Sequence, residues 1–394
     1  MKSDQTVGPE FRTVLEDSAR YPPPRVPPRP LLTIPGLRQR SEPVTSSFLS
    51  DRIHFLPSGR AAISTALQFL DIMPSDRVLV PSYHCGSLVE AVIASGAIVD
   101  FYRVAPDLTV DLEDLIRRCT SRTRCVIAIH YFGFPQPLRE LASFCRSRAI
   151  SLLEDCAHAF FDIGDTKIGA AGDFAIASAR KFFPVGDGGV LIGRQLPNAV
   201  GRPPAGTIRE LKCLAQELQV AANFDRLGFV GEIVSITFRL YHLFRLPSRV
   251  ATEQTTTARK YRWFVPDEVT RSGTWVSQWV MHHTNLTRLT TRRRRNYIRL
   301  RDGLDGLRGG RSLFTSLPDG VVPYVFPLLL ANPETSFASL KMAGVPLLRW
   351  EEVAYSDCLV SERYVGDLVQ IPCHQDLDDE DIEWLTGAIR NILK

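Results

Sequence analysis

The chain has 394 residues, a length that predicts one large domain with a smaller one and permits a sizeable hydrophobic core. Hydrophobic residues make up 44% and charged residues 23%, as is typical of a soluble globular protein. The formal net charge of +4 is too small for this length to indicate a nucleic-acid partner. The densest basic run, Arg292–Arg295, lies in a helix-like stretch and is interpreted as a solvated helix face.

The cysteines and the N-terminus indicate the cellular compartment in which the protein is located. The eight cysteines include no CxxC pair and no cluster with histidine at metal-ligand spacing, so a reducing environment is favoured and no metal site is predicted. The N-terminus lacks the apolar segment of a signal peptide, and no run approaches the ~20 apolar residues of a spanning helix. We therefore expect a cytoplasmic protein without a membrane partner.

Residues 1–50 form a proline-rich arm. Six prolines between positions 22 and 30, interleaved with Arg25 and Arg29, prevent a helix or a central strand. We expect this arm to be extended. It can be a strap over the body or over a partner subunit, or a polyproline ligand for another protein.

Along residues 53–195 the hydrophobic pattern alternates between the period of a helix and that of a strand. Strands and helices that alternate along a chain predict a mostly parallel sheet with helices on both faces, which is an α/β fold. The predicted helices lie near residues 59–70, 88–94, 111–116 and 138–146, and the predicted strands near 78–80, 98–104, 125–129, 150–153, 174–177 and 190–192.

The remainder of the chain predicts a divergent helical segment and a second domain. Helical periodicity at 211–222 and 233–244 predicts a helical, divergent segment over 196–290, and we expect the large domain that includes it to span 51–290. A strand at 325–330 and helices near 335–342 and 378–393 predict a smaller α+β C-terminal domain over 291–394.

Asp155 and Lys181 are the candidate catalytic pair. Each closes an apolar run, the two are 26 positions apart, and the turn Asp187–Gly189 follows. A carboxylate can keep a pyridinium nitrogen protonated, and an amine can form a Schiff base with an aldehyde, as pyridoxal phosphate chemistry requires. An apolar setting lowers the pKa of Lys181 and makes its amine nucleophilic. Considered apart from each other, Asp155 can also be a capping residue and Lys181 a surface lysine.

Further candidates fall at strand ends and at a helix start. Ser58-Gly59-Arg60 opens the first helix of the alternating region, where free N–H groups and the helix dipole can hold a phosphate, although an ordinary N-cap has the same sequence. His158 can hydrogen-bond the phenolic oxygen of the cofactor or be a core histidine. Ser178 suits a phosphate, and Arg180 suits a phosphate or a substrate carboxylate.

Taken together, these motifs resemble the DegT/DnrJ/EryC1/StrS family of fold-type I aminotransferases. The resemblance covers most of residues 53–195 and much of 292–394, through FLPSGRAAISTAL, DRVLVPSYHCGSLVEAVIASGAIVDFYRV, TRCVIAIHYFGFPQPL, LLEDCAHAF, GDFAIASARKFFPVGDGGVLIG, RRRRNYIRLRDGL and IPCHQDLDDEDIEWLTGAI. It implies pyridoxal 5'-phosphate as cofactor, glutamate as amino donor and a keto sugar nucleotide as acceptor. It also implies a homodimer with active sites at the subunit interface, in polysaccharide or secondary metabolite biosynthesis.

The resemblance also assigns roles to individual residues. Lys181 is similar to the lysine that holds the cofactor as an internal aldimine, and Asp155 to the partner of the pyridine nitrogen. His158 matches the residue beside the phenolic oxygen, and Gly59 and Arg60 match the pair whose backbone holds the phosphate.

Three positions depart from the family pattern. The family's phosphate-binding serine falls at Ile176, and Ser178 is the nearest serine. The aromatic residue that stacks on the cofactor falls at Cys85, and Tyr83 or His84 can replace it. The Gly-x-Asn pattern from the neighbouring subunit has no clear counterpart in residues 196–290, which suggests a different acceptor.

The expected reaction is transamination. Relatives that dehydrate sugars carry histidine in place of the lysine, so Lys181 argues against that branch. Two alternatives remain: a pyridoxal phosphate enzyme of another reaction type, such as elimination or decarboxylation, and a degenerate non-catalytic protein with a regulatory or scaffolding role.

Overall fold

The computed structural model describes residues 9–14, 20–37, 44–197, 201–229, 231–234, 236 and 261–394. Its α-helices are α1 (Ile34–Leu37), α2 (Gly59–Phe69), α3 (Gly86–Ala94), α4 (Leu112–Arg118), α5 (Arg139–Ser147), α6 (Thr207–Asn223), α7 (Trp275–His283), α8 (Leu286–Gly303), α9 (Pro333–Met342), α10 (Leu359–Asp367) and α11 (Asp379–Ile392). Its strands are β1 (Phe11–Thr13), β2 (His54–Leu56), β3 (Arg77–Pro81), β4 (Ile98–Tyr102), β5 (Thr123–Ile129), β6 (Ser151–Asp155), β7 (Phe174–Ser178), β8 (Gly189–Gly193), β9 (Gly310–Ser312), β10 (Val325–Leu330), β11 (Glu352–Ala354) and β12 (Leu368–Pro372).

A seven-stranded sheet forms the centre of the large domain. Its strand order is β2–β8–β7–β6–β5–β3–β4, in which the five strands from β7 to β4 are parallel and β8 is antiparallel to both its neighbours. Consecutive residues of β3, β5 and β6 are buried, so both faces of the sheet are covered. The predicted α/β class with a mostly parallel sheet is confirmed.

The C-terminal part of the chain builds a smaller antiparallel sheet. Its order is β12–β10–β9, and residues of α8, α9 and α11 pack with it in one hydrophobic cluster. Asp378 begins α11 with a capping box. Its side chain accepts a hydrogen bond from the Asp381 N–H, and the Asp381 side chain accepts one from the Asp378 N–H. The predicted helix at 378–393 therefore begins where its acidic start indicates.

The described part of the proline-rich arm lies against the body of its own chain. Val26 and Leu31 are buried, and the Leu31 N–H donates to Asp376 Oδ2 at 3.1 Å. The Pro27 carbonyl lies 2.9 Å from His374 Nε2. Further towards the N-terminus, β1 pairs with β11. The arm thus contributes to the hydrophobic core. The bounds of the three domains stay a prediction.

Shortening Leu31 to alanine should destabilise the protein by about 2–4 kcal/mol, because it removes a fully buried leucine and leaves a cavity. Urea denaturation of the full chain measures the change. Ile34→Ala is the matched control, since Ile34 is 57% exposed and its loss should change stability by less than about 0.5 kcal/mol. Equal stability of the Leu31 variant and the wild type would show that the arm is not part of the folded core.

The basic run Arg292–Arg295 is not the uniformly solvated face that we predicted. Arg293 is 0% exposed, whereas Arg295 is exposed and pairs with Asp379 at 2.7 Å. The prediction was wrong for Arg293 because a helix turns once in about 3.6 residues. Four consecutive side chains therefore point to all sides of α8, and one of them must point into the core.

Three other sequence features have simple outcomes. All eight cysteines are free, and most of them are buried. Among the residues that the structure describes, no helix combines the length and apolarity needed to cross a membrane. Of the two helices predicted within 196–290, the first is observed as α6, and most of the second, at 233–244, lies outside the described residues.

Candidate active site

Eight of the predicted site residues line one cavity of about 160 Å³ at the carboxyl edge of the central sheet. The strands β6 and β7 are parallel and both end at this edge, and α2 begins there after β2, so the fold brings distant positions together. The eight residues are Ser58, Gly59, Arg60, Asp155, His158, Ser178, Arg180 and Lys181.

A glycine turn brings the lysine against the start of α2. Lys181 ends a short 3₁₀ turn after β7, and the Ala179 N–H that begins this turn donates to the Gly188 carbonyl at 2.9 Å. Gly188 has φ +130°, a conformation that side chains disfavour. A Cβ at Gly189 would collide with the Ser58 carbonyl, so only glycine lets β8 pass this close to the peptide that opens α2.

Lys181 and Asp155 influence each other electrostatically inside the protein. Burial lowers the pKa of Lys181, and the charges of Cys85 and Asp155 partly offset this effect. Burial raises the pKa of Asp155, while Lys181 and the Ala157 N–H, which donates to Asp155 Oδ1 at 2.9 Å, act in the opposite direction. A buried carboxylate therefore faces the same cavity as an amine that loses its proton more readily than an ordinary lysine.

His158 is held as a neutral ring. Its Nδ1 accepts a hydrogen bond from the Phe132 N–H at 3.4 Å, which leaves the proton on Nε2. Burial and the neighbouring Lys181 lower the pKa of His158 well below its ordinary value. The ring stacks with Phe132 and with Tyr324, at centroid distances of 5.4 and 4.7 Å. His158 is therefore oriented as a hydrogen-bond donor.

The start of α2 already binds an anionic group. The Ser58 hydroxyl donates to Glu268 Oε2 at 2.5 Å, and the Arg60 guanidinium donates to both oxygens of the same carboxylate at 3.2 Å. Free N–H groups of a helix N-terminus add to this attraction. The chemistry of the site thus suits a phosphate, for which the Glu268 carboxylate is a stand-in.

Because Glu268 uses the hydrogen bonds that a phosphate needs, Glu268→Gln should tighten the binding of inorganic phosphate. The Arg60–Glu268 pair is partly exposed, so the expected gain is about two- to fivefold in Kd at constant ionic strength, as calorimetry can measure. Asp267→Asn, one position earlier, is the control for a general change of charge. Unchanged or weaker binding by the Glu268→Gln variant would contradict an anion site at this helix start.

Tyr83 and His84 lie outside the cavity. Tyr83 is fully buried in an aromatic cluster, with Trp350 at 4.5 Å between ring centroids. His84 accepts from the Ala354 N–H and stacks on Phe101. Neither predicted residue belongs to the lining, whereas Cys85 does. The reason is that the backbone of this segment turns into α3 at Gly86, which directs the two rings into the core.

Three residues near the cavity gave no sequence signal. Trp350 lines the cavity from the C-terminal part of the chain. Tyr324 lies beside the amine of Lys181, with its ring centroid 5.3 Å from Lys181 Nζ. Glu268 reaches the start of α2 from the segment before α7. No local motif marks them, because they are brought in by long-range packing.

A second, larger cavity of about 740 Å³ contains the buried pair His130 and Glu154. Together with Cys156, these two residues place possible metal ligands within 4.8 Å of one another. Protein groups already bind the histidine and the glutamate, however. His130 contacts Glu154 at 3.0 Å and accepts from the Gln136 N–H, while Glu154 accepts from the Gly172 N–H. The arrangement is explained by internal hydrogen bonding.

Comparisons with known proteins all point to similarity with one family of aminotransferases. Residues 55–195 match the DegT/DnrJ/EryC1/StrS aminotransferase family. Over 144 residues the chain is 37% identical to dTDP-4-dehydro-2,3,6-trideoxy-D-glucose 4-aminotransferase of Saccharopolyspora spinosa, covering 36% of this chain and 37% of the relative. It is 29% identical to GDP-perosamine synthase of Vibrio cholerae, covering 34% and 38%. The match thus spans little more than a third of these relatives.

Similarity of fold extends further than similarity of sequence. The aminotransferase TlmJ from Streptoalloteichus hindustanus superposes with a TM-score of 0.61 at 22% identity, covering 87% of this chain and 86% of TlmJ. The PLP form of the putative sugar aminotransferase Spr1654 from Streptococcus pneumoniae gives 0.61 at 15% identity, covering 94% and 97%. At these identities the likeness concerns the fold.

Proposed function

We propose that the chain, whose residues 55–195 match the DegT/DnrJ/EryC1/StrS aminotransferase family, is a pyridoxal-phosphate-dependent aminotransferase. One observation carries the proposal: the amine of Lys181, the carboxyl group of Asp155, the neutral ring of His158 and the anion-binding start of α2 surround a single cavity. These four kinds of group correspond to the aldehyde, the pyridine nitrogen, the phenolic oxygen and the phosphate of the cofactor.

The residues have distinct proposed tasks in binding. Ser58, Gly59 and Arg60 bind the phosphate through the helix N-terminus and the side chains that now hold Glu268, with Ser178 beside them. Asp155 keeps the ring nitrogen protonated, and His158 donates to the phenolic oxygen. Lys181 is the residue whose amine would attach the cofactor covalently at its aldehyde. When bound, the cofactor supplies a sink for the electrons released at the α-carbon of the substrate.

The proton transfers are assigned to Lys181. Its lowered pKa leaves a larger neutral fraction near neutral pH than an ordinary lysine has, so the freed amine can accept the proton of the donor's α-carbon. The same amine would then give this proton to the cofactor, and with the keto acceptor Lys181 would move protons in the opposite direction. Arg180, which also lines the cavity, is available for a substrate carboxylate or phosphate.

The proposed acceptor is supported by the relatives, and the proposed donor by the family resemblance. Glutamate is the proposed donor, and the proposed acceptor is a keto sugar nucleotide, since a dTDP-sugar aminotransferase and GDP-perosamine synthase are among the relatives. A homodimer with the active site at the subunit interface is proposed on the same family grounds.

A donor and acceptor panel tests the proposal. Purified protein is incubated with pyridoxal phosphate, glutamate and a series of keto sugar nucleotides and other keto compounds, and release of 2-oxoglutarate is measured. Turnover that requires both glutamate and one keto compound supports transamination. A visible absorption band that amino donors leave unchanged would favour elimination or decarboxylation. A protein that remains colourless with the cofactor would contradict an enzyme of this type.

A further inference from the structure

The fully buried Arg293 of α8 uses every one of its hydrogen-bond donors on the segments that surround the reactive lysine. A guanidinium has five N–H groups in a planar fork. Nε donates to Gln375 Oε1 at 2.8 Å, and one terminal nitrogen donates to the carbonyls of Pro323 and Tyr324 at 3.2 and 3.0 Å. The other donates to the carbonyls of Lys181 and Phe182 at 3.0 and 3.4 Å.

These acceptors belong to three separate stretches of chain. Lys181 and Phe182 end the turn after β7, Pro323 and Tyr324 precede β10, and Gln375 follows β12. Gln375 reinforces the link, because its Nε2 donates to the Phe182 carbonyl at 2.9 Å. One side chain therefore ties the lysine-bearing turn of the large domain to two loops of the C-terminal sheet.

The loop that Arg293 holds also contacts the reactive groups. The ring of Tyr324 lies 5.3 Å from Lys181 Nζ and stacks on His158 at 4.7 Å. Arg293 thus fixes the lysine backbone from one side and, through Tyr324, the surface on which the lysine amine and the histidine ring rest. A shift of this loop would move both groups relative to Asp155.

The cost of burying this cation argues for a specific task. All five of its hydrogen-bond acceptors are neutral, and the neighbouring carboxylate of Asp376 is engaged by Arg288 at 2.8 Å. A buried charge without a paired carboxylate is unfavourable unless every donor is satisfied. The exposed neighbour Arg295 makes an ordinary surface ion pair instead. A lysine cannot satisfy five acceptors in one plane.

We propose that Arg293 is a positioning residue, which holds the backbone of Lys181 and the Tyr324 loop in register so that the amine is aligned with the cofactor's aldehyde. This inference rests on the proposed function and adds to it a residue that touches neither substrate nor cofactor. If the proposal is right, the cofactor's phosphate and ring bind without help from Arg293. Covalent attachment of the cofactor to Lys181, in contrast, depends on Arg293.

The test compares Arg293→Met and Arg293→Lys with Arg295→Met in the full-length protein. Affinity for pyridoxamine phosphate, which cannot bond to the lysine, reports binding alone. The growth rate of the visible band with pyridoxal phosphate reports attachment. For Arg293→Met we expect the rate of cofactor attachment and kcat each to fall about 100-fold, because misplacement of a reacting group has an effect of this size. Affinity for pyridoxamine phosphate should change by less than about threefold.

Arg293→Lys keeps the charge and guards against failure of the methionine variant to fold. It should remain at least about tenfold slow, since three donors replace five, and Arg295→Met should match the wild type. Full rescue by lysine, wild-type attachment in Arg293→Met, or a parallel loss of pyridoxamine phosphate affinity would each overturn the proposal. Failure of the wild type itself to develop the band would instead contradict the proposed function.

Discussion

Replacing Lys181 with alanine is expected to lower the rate of amino transfer by about 10⁴-fold, the upper range for loss of a positioned acid–base group. The variant loses both the covalent attachment point and the group that moves the proton. Because the side chain faces a cavity, the fold should survive its removal. Release of 2-oxoglutarate from glutamate, with the keto acceptor in excess, measures the effect.

Lys167→Ala is the matched control, since this lysine is exposed and lies on the loop between β6 and β7 near the other cavity. It should retain wild-type activity. Turnover of the Lys181 variant within about tenfold of the wild type would be incompatible with the assigned role, because catalysis would then depend on another amine.

Asp155→Asn should have the second largest effect. Asparagine keeps an oxygen for the Ala157 N–H but cannot hold a proton on the pyridine nitrogen. Loss of a preorganised charge that stabilises the transition state should lower kcat roughly 10²- to 10³-fold. Steady-state kinetics with saturating donor measures it, with Asp165→Asn, an exposed aspartate of the same loop, as control.

The Asp155 variant also predicts the direction of a pH effect. The Asp155 charge raises the pKa of Lys181 and so opposes the lowering by burial. Without that charge the amine loses its proton at lower pH, and the pH dependence of cofactor attachment should move towards lower pH. A shift to higher pH, or none, would mean that the two groups are not coupled through the cavity.

Six of the seven strands of the sheet were predictable because each has a continuous apolar run, whereas the three-residue strand β2 was not predicted. The strand predicted at 125–129 is observed as Thr123–Ile129, and the one at 174–177 as Phe174–Ser178. Since parallel strands end at one edge, the convergence of Asp155 and Lys181 followed from the class of fold.

Other parts of the site depend on contacts between distant positions. Trp350 and Glu268 reach the cavity from segments that have no periodic link to the central sheet. Arg293 looked like one of four surface cations, and its burial is evident only from acceptors near positions 181, 323 and 375. Tyr83 carried an aromatic ring at a plausible position, yet it packs in the core.

Reduction with borohydride followed by peptide mass spectrometry tests whether pyridoxal phosphate is attached to Lys181. The protein is loaded with pyridoxal phosphate, reduced and digested, and the modified peptide is sequenced. We expect one stable phosphopyridoxyl group on Lys181, and none when Lys181 is alanine. A modification confined to another lysine, or no modification of protein that has bound the cofactor, would contradict it.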